Sequence, residues 1–203
     1  MTTRSILNQL LSRKQRKLLS LIILIVSLSL YFAQSQGWLD SIRKSAEVNQ
    51  PGLYTVVNYD DGDTIIVDMN GTEETLRFVG VDTPETHDPR KPVQCFGPEA
   101  SAFTKKLISE AGGKVRLASD PESTNRDRYD RLLRYIYLPD GRLVQDELLK
   151  TGHAFYYPYF PFTKSKQFAA EQAKAQLQKI GVWAACHPEA TDGGGYTSNP
   201  LNG

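Results

Sequence analysis

The sequence predicts an α+β fold in which a small β-barrel core comes first and helices are added after it. Three observations carry this. Residues 52–81, "GLYTVVNYDDGDTIIVDMNGTEETLRFVGV", place strand-forming runs on both sides of the turn "DMNG". Two further strands, "KVRLAS" and "RLLRYIYL", follow later, the second ending at the turn "PDG". Three segments among and beyond them read as helices, and each stops at glycine.

Residues 1–17 form a basic lead with Arg4, Arg13, Lys14, Arg16 and Lys17 and no acid. Setting those five aside leaves 19 of the 24 basic residues against 23 acidic ones, so the formal charge of +1 hides an acidic remainder of about −4. A nucleic-acid partner must therefore be held by a local cluster of cations, because the overall field does not favour one. Residues 18–39 carry no charge, and "LLSLIILIVSLSLYFA" is almost wholly apolar. The run lies between the roughly 20 residues of a spanning helix and the roughly 7–15 of a signal core. It predicts an N-terminal hydrophobic helix, either a transmembrane anchor or a signal segment, with "AQS" at 33–35 as a cleavage site in the second case. Basic residues before it place the N-terminus in the cytoplasm and the rest outside. A buried core helix is the weaker reading, because nothing polar marks a solvent face.

Residues 40–50 read as a polar linker, 51–187 as one domain without internal repeats, and the Gly/Asn/Ser-rich 188–203 as a disordered tail. In the domain, the hairpin around "DMNG" has two registers. A three-residue loop with Gly71 in the left-handed position sets Asp63 opposite Arg77, whereas a two-residue Asn-Gly turn sets Thr64 there. "GPEASAFTKKLISEAGG" (97–113) predicts a helix with Pro98 in its first turn and Gly112 and Gly113 as its stop. "RLVQDELLKTG" predicts a second, with Leu143, Val144, Leu148 and Leu149 on a roughly common face and Gly152 as stop. "SKQFAAEQAKAQLQKIG" predicts a third, rich in good helix formers and ended by Gly181.

Two cysteines, Cys95 and Cys186, suggest a disulfide if the domain lies outside the cytoplasm. Such a bridge would tie the start of the first domain helix to the end of the last. A zinc site is the weaker reading, since His87, His153 and His187 are scattered and no CxxC occurs.

Chemistry concentrates in four acids of the strand-and-turn region: Asp61, Asp63, Asp82 and Glu85. "DGD" sets two carboxylates around a flexible glycine, and "DTPE" sets two more around a proline with a fixed φ. Taken alone, each is more often an ordinary turn. Together, Asp63, Asp82 and the carbonyl of Thr83 supply three oxygen donors of the kind a hard cation such as Ca²⁺ takes. Arg77 and Arg131 present planar forks that grip phosphate oxygens bidentately. "NRDRYDRLLR" brings Arg126, Arg128, Arg131 and Arg134 around Tyr129, the form of a nucleic-acid groove. The alternative for that segment is a solvated loop whose arginines pair with Asp120, Glu122, Asp127 and Asp130. A metal, two arginines and a carboxylate near a water are the parts of phosphodiester hydrolysis.

The run "DGDT…LRFVGVDTPET…GPEASAFTKKL…DRYDRLLRYIY…LVQDELLKTGHA…GVWA" resembles the staphylococcal nuclease (thermonuclease) family over essentially all of 51–187. The resemblance implies an OB-fold five-stranded barrel with three helices. It implies Ca²⁺-dependent cleavage of DNA and RNA to 3′-phosphate products. No protein partner is expected, and the chain is expected to act as a monomer. By matching position, Asp63 and Asp82 resemble the calcium carboxylates and Thr83 the carbonyl ligand. Arg77 and Arg131 resemble the phosphate-binding arginines, and Glu85 the general base. Tyr129 resembles the tyrosine at the nucleotide phosphate, and Lys91 a basic loop residue. Arg128 stands where the family has a lysine. "FYYPYFP" (155–161) replaces the base-stacking segment, leaving Tyr157 and Tyr159 as candidates. OB-folds bind single strands through aromatics, so unpaired substrate is expected. The alternative is a non-catalytic nucleic-acid-binding module of the same fold, tethered to the membrane. Modules of that kind lose the acids and arginines, and this chain keeps them.

Overall fold

The computed structural model describes residues 13–35, 52–88 and 92–201. The chain divides into two units, residues 1–47 and 48–203. In the first, helix α1 (Arg13–Ser35) carries part of the apolar run, with side chains such as Leu28 and Phe32 exposed. Serines interrupt its apolar surface: Ser27 and Ser29 turn their hydroxyls back onto the carbonyls of Ile23 and Val26. Among the described residues no helix is long and apolar enough to cross a membrane, so the spanning helix expected over 18–39 is not found.

The second unit is built on a closed barrel with strand order β1-β2-β3-β6-β5. Its strands are β1 (Leu53–Asp61), β2 (Thr64–Asp68), β3 (Glu73–Phe78), β5 (Lys114–Ala118) and β6 (Leu132–Tyr137). Strands β3 and β6 run parallel and the other neighbours antiparallel, with β1 pairing β5 to close the ring. Closure removes the free edges that an open sheet of this size would expose. Alternating inward residues, including Ile65, Val67, Leu76, Val115, Leu117 and Ile136, fill the interior. The α+β reading with a five-stranded OB-type barrel and following helices therefore holds.

The hairpin takes the second of its two registers. Met69 and Thr72 pair through both backbone groups, leaving Asn70 (φ 58°) and Gly71 (φ 87°) as a two-residue turn with both residues left-handed. Thr64 then lies opposite Arg77. The placement of Asp63 directly opposite Arg77 is corrected by one position.

Helix α2 (Gly97–Glu110) matches its expectation, as does α4 (Ser165–Gln178). Helix α3 is shorter than expected, Val144–Lys150, because Leu143 stays extended (φ −89°, ψ 120°) and pairs with Tyr137 after the turn. A fourth short helix, α5 (Val182–Ala185), was not foreseen. Gly152 takes a left-handed φ just after α3, as its position suggested, but α4 is ended by Lys179 (φ 50°, ψ 55°) rather than by Gly181, which instead precedes α5.

Residues 188–201 are folded, against the disorder expected there. Strands β8 (Glu189–Ala190) and β9 (Tyr196–Thr197) pair antiparallel. Tyr196 packs edge-on against Trp183 with ring centres 5.0 Å apart, and Phe155 completes the cluster. Composition reported the glycines of this segment but not the aromatic anchor or the bridge beside it. Cys95 and Cys186 are joined, with Cα atoms 6.0 Å apart. The bridge closes a long loop and restricts the unfolded chain.

Candidate active site

The site is made by one bend. Strand β3 ends at Phe78, and Gly80 (φ 75°) turns the chain before the short strand β4 (Val81–Asp82), which pairs with β7 (Phe155–Tyr156). A Cβ at Gly80 would lie 2.5 Å from the Phe162 ring, so both the φ and the space require glycine. The bend brings Asp82 back to Arg77: Nη2 lies 2.6 Å from Oδ1 of Asp82 and 3.2 Å from Oδ2 of Asp63. Nη1 donates to the carbonyls of Val81 (2.7 Å) and Phe78 (3.1 Å). Burial alone would lower the Arg77 pKa, but the charges of Asp63 and Asp82 outweigh it and hold it above its ordinary value.

Asp63 is buried at 5% exposure. Its Oδ2 accepts the Thr83 N–H (2.7 Å) and its Oδ1 the Thr64 hydroxyl (3.0 Å). The intervening glycine of "DGD" is needed for contact: a Cβ at Gly62 would fall 2.8 Å from Cγ2 of Thr83. Asp61 accepts the Thr86 hydroxyl at 3.0 Å, so the two acidic motifs are knitted together twice. Burial, and then the charge of Asp63, push Asp61 up to about 7.

Glu85 is fixed on its own loop. Its Oε1 accepts the N–H groups of Thr86 (3.0 Å), His87 (2.9 Å) and Asp88 (3.1 Å). Burial would raise its pKa, but these donors and the facing Asp61 bring it below the usual carboxylate value. Glu85 is thus held as an anion.

The opposite wall comes from the loop before β6. Arg131 Nε donates to Oδ2 of Asp127 at 2.7 Å, and its cation lies 5.5 Å from the centre of the Tyr129 ring. Arg128 lies 4.7 Å from the same ring and donates to its hydroxyl. The other two arginines turn away. Arg126 pairs with Glu74 at 3.1 Å, and buried Arg134 donates to Asn125 Oδ1 at 2.7 Å. The single basic strip read from the sequence is therefore only Arg128 and Arg131 at the cleft, and ion pairs of the alternative reading coexist with them.

Tyr157 forms a third wall, with its ring centre 5.9 Å from Cζ of Arg77 and 4.6 Å from the Tyr159 ring. Tyr159 is backed by the tail: its hydroxyl bonds Thr191, and Gly193 leaves no room for a side chain against its ring. Lys91 lies outside the described residues. The open cleft is about 870 Å³ and is lined by Asp63, Arg77, Asp82, Glu85, Arg131 and Tyr157 among others.

Among the described residues no group of three or more His, Cys, Asp or Glu side chains is arranged to hold a metal. Two carboxylates and a backbone carbonyl, all hard oxygen donors, are nevertheless the chemistry that Ca²⁺ prefers, with water completing its shell. The buried hydroxyl of Thr83 has no hydrogen-bond partner, which suits a group waiting for a hydrated ion. The residues fit the cation.

Sequence reasoning named Asp61 without giving it a place, named Asp120 and Asp127 only as partners for the loop arginines, which Asp127 is for Arg131, and missed Gln94. Asp127 carries a signal, standing four residues before Arg131. Asp120 carries none: it joins two walls of the cleft by accepting the Tyr135 hydroxyl (2.6 Å), the Thr163 N–H (2.8 Å) and the Glu122 N–H (2.8 Å).

A family model described as staphylococcal nuclease homologue matches residues 75–185. The chain belongs to the staphylococcal nuclease family. It is 39% identical over 172 residues to a thermonuclease of Staphylococcus hyicus, covering 82% of this chain and 95% of that one. A thermonuclease of Staphylococcus intermedius is 37% identical over 167 residues, covering 81% of this chain and 94% of its own length. The endonuclease YncB of Bacillus subtilis is 44% identical over 126 residues, 61% of this chain and 58% of that protein. The staphylococcal nuclease match spans β3 to α5, and so contains Arg77, Asp82, Glu85 and Arg131.

Proposed function

We propose that this protein is a Ca²⁺-dependent endonuclease that hydrolyses phosphodiester bonds of DNA and RNA to 3′-phosphate products, with unpaired strands preferred, outside the cytoplasm. The observation that carries the reading is the convergence of Arg77, Asp63, Asp82 and Glu85 at one bend of the barrel. Extracytoplasmic action is supported by the Cys95–Cys186 bridge and by the basic lead before an apolar segment, the pattern that export signals carry.

The chemistry follows from what each side chain can still do. Arg77 and Arg131 neutralise charge on the non-bridging phosphate oxygens; Arg131 spends Nε on Asp127 and offers its two Nη groups. Glu85 spends Oε1 on its loop and offers Oε2 to a water. As the water oxygen bonds to phosphorus, Glu85 takes its proton, the bond from phosphorus to the 5′ oxygen breaks, and that oxygen leaves as a hydroxyl by taking a proton from solvent water, to which Glu85 returns the one it took. Asp63, Asp82 and the Thr83 carbonyl would hold Ca²⁺, which supplies Lewis-acid stabilisation of the phosphate charge. Tyr157 and Tyr159 offer faces to an unpaired base, and Arg128 with Tyr129 contacts the adjoining phosphate.

The test is the identity of the cut ends. Single-stranded DNA and RNA incubated with the protein and Ca²⁺ should both yield fragments with 3′-phosphate and 5′-hydroxyl ends. Retention of both substrates uncut, bound or unbound, would show a binding module instead.

A further inference from the structure

The carboxamide of Gln94 stands between the Glu85 loop and the C-terminal tail. Its Oε1 accepts the Glu85 N–H at 2.8 Å, and its Nε2 donates to the Thr197 hydroxyl at 2.9 Å. The Gln94 N–H donates to the Glu85 carbonyl at 2.8 Å, so residues 85 and 94 are tied twice. The tail continues beside this tie: Cys95 N–H donates to Asn199 O (2.8 Å), Leu201 N–H to Val93 O (2.9 Å) and the buried Ser198 hydroxyl to Cys95 O (2.9 Å). The disulfide fixes the same strand at Cys95. Gln94 and Thr197 both line the cleft.

We infer that Gln94 and Thr197 are positioning residues for Glu85, and that the tail is a working part of the active site. The physical argument is one of leverage. Three backbone N–H groups hold the Glu85 carboxylate to residues 86–88, so the carboxylate goes wherever that loop goes. The loop is hydrogen-bonded at the Glu85 backbone to Gln94, and Gln94 is in turn oriented by Thr197. An amide is the side chain suited to this place, since it must accept from one neighbour and donate to the other. Without Thr197 the carboxamide can rotate, and the Glu85 N–H loses a fixed acceptor. Displacement of a reacting group by about 1 Å lowers rates by up to 10²-fold. The inference rests on the nuclease reading and on Glu85 as the group that receives the water proton.

The experiment is steady-state cleavage of single-stranded DNA by the full chain carrying Thr197→Val, Thr197→Ser or Gln94→Met. Thr197→Val, nearly isosteric, should lower kcat about tenfold with KM changed less than about twofold, and Gln94→Met should do at least the same. Thr197→Ser keeps the hydroxyl and should restore the rate. In a Glu85→Gln background Thr197→Val should add nothing, because both act on one group. A wild-type kcat in Thr197→Val, or an undiminished further loss in the Glu85→Gln background, overturns the inference. Melting curves identify a kcat loss caused by unfolding, which Thr197→Ser would share only if packing rather than the hydroxyl mattered, and that result also overturns it. If the wild-type protein fails to cleave, the nuclease reading falls instead; if it cleaves and Glu85→Gln does not, only the positioning role is at stake.

Discussion

Glu85→Gln is expected to lower the cleavage rate by about 10² to 10⁴, the range for removing a general base. Glutamine keeps an oxygen able to accept the three loop N–H groups that Glu85 Oε1 now accepts. The fold of the loop should therefore survive, and the melting temperature should stay near that of the wild type. What glutamine lacks is a site for the water proton. The measurement is single-turnover cleavage beside a thermal melt. A rate within about threefold of wild type would remove Glu85 from the reaction.

Arg77→Ala is expected to combine two effects that Glu85→Gln separates. Loss of the guanidinium should reduce the rate about 10² to 10³, as for other groups aimed at developing charge. It also strips Asp63 and Asp82 of the cation that lies 3.2 and 2.6 Å from them. Asp63 is buried, so leaving it unpaired should cost about 3 kcal/mol of stability without Ca²⁺. Ca²⁺ should recover part of that stability, because it binds the folded state, but not the rate. Arg77→Lys should keep most of the stability and little of the rate, since an ammonium cannot present a planar fork. Unchanged stability in Arg77→Ala without Ca²⁺ would contradict the role given to the pair of carboxylates.

The barrel was legible because its strands alternate and its turns carry specific chemistry. Its register was not, because "DMNG" satisfies two turn geometries and only the pairing of Met69 with Thr72 selects one. The acids and Arg77 were legible as residue types. That they act together was expected from their chemistry and the family resemblance, but the geometry that joins them was not, since it depends on Gly80 bending the strand against Phe162, a contact between residues 82 positions apart. The arginine strip shows the opposite failure. Four arginines in sequence look like one surface, but Arg134 is a buried strand residue and Arg126 finds Glu74 on the neighbouring strand β3. The tail was misread because composition records its glycines, while its order comes from Tyr196 on Trp183 and from the Cys95–Cys186 bridge.

The most direct test is the rate of single-stranded DNA cleavage by the purified protein as Ca²⁺ is titrated in and then removed with a chelator. Cleavage should rise to saturation with Ca²⁺, stop on chelation and return when Ca²⁺ is restored. Cleavage that continues at full rate in the chelator would contradict a catalytic cation held by Asp63, Asp82 and Thr83, and its absence at every Ca²⁺ concentration would contradict the enzyme.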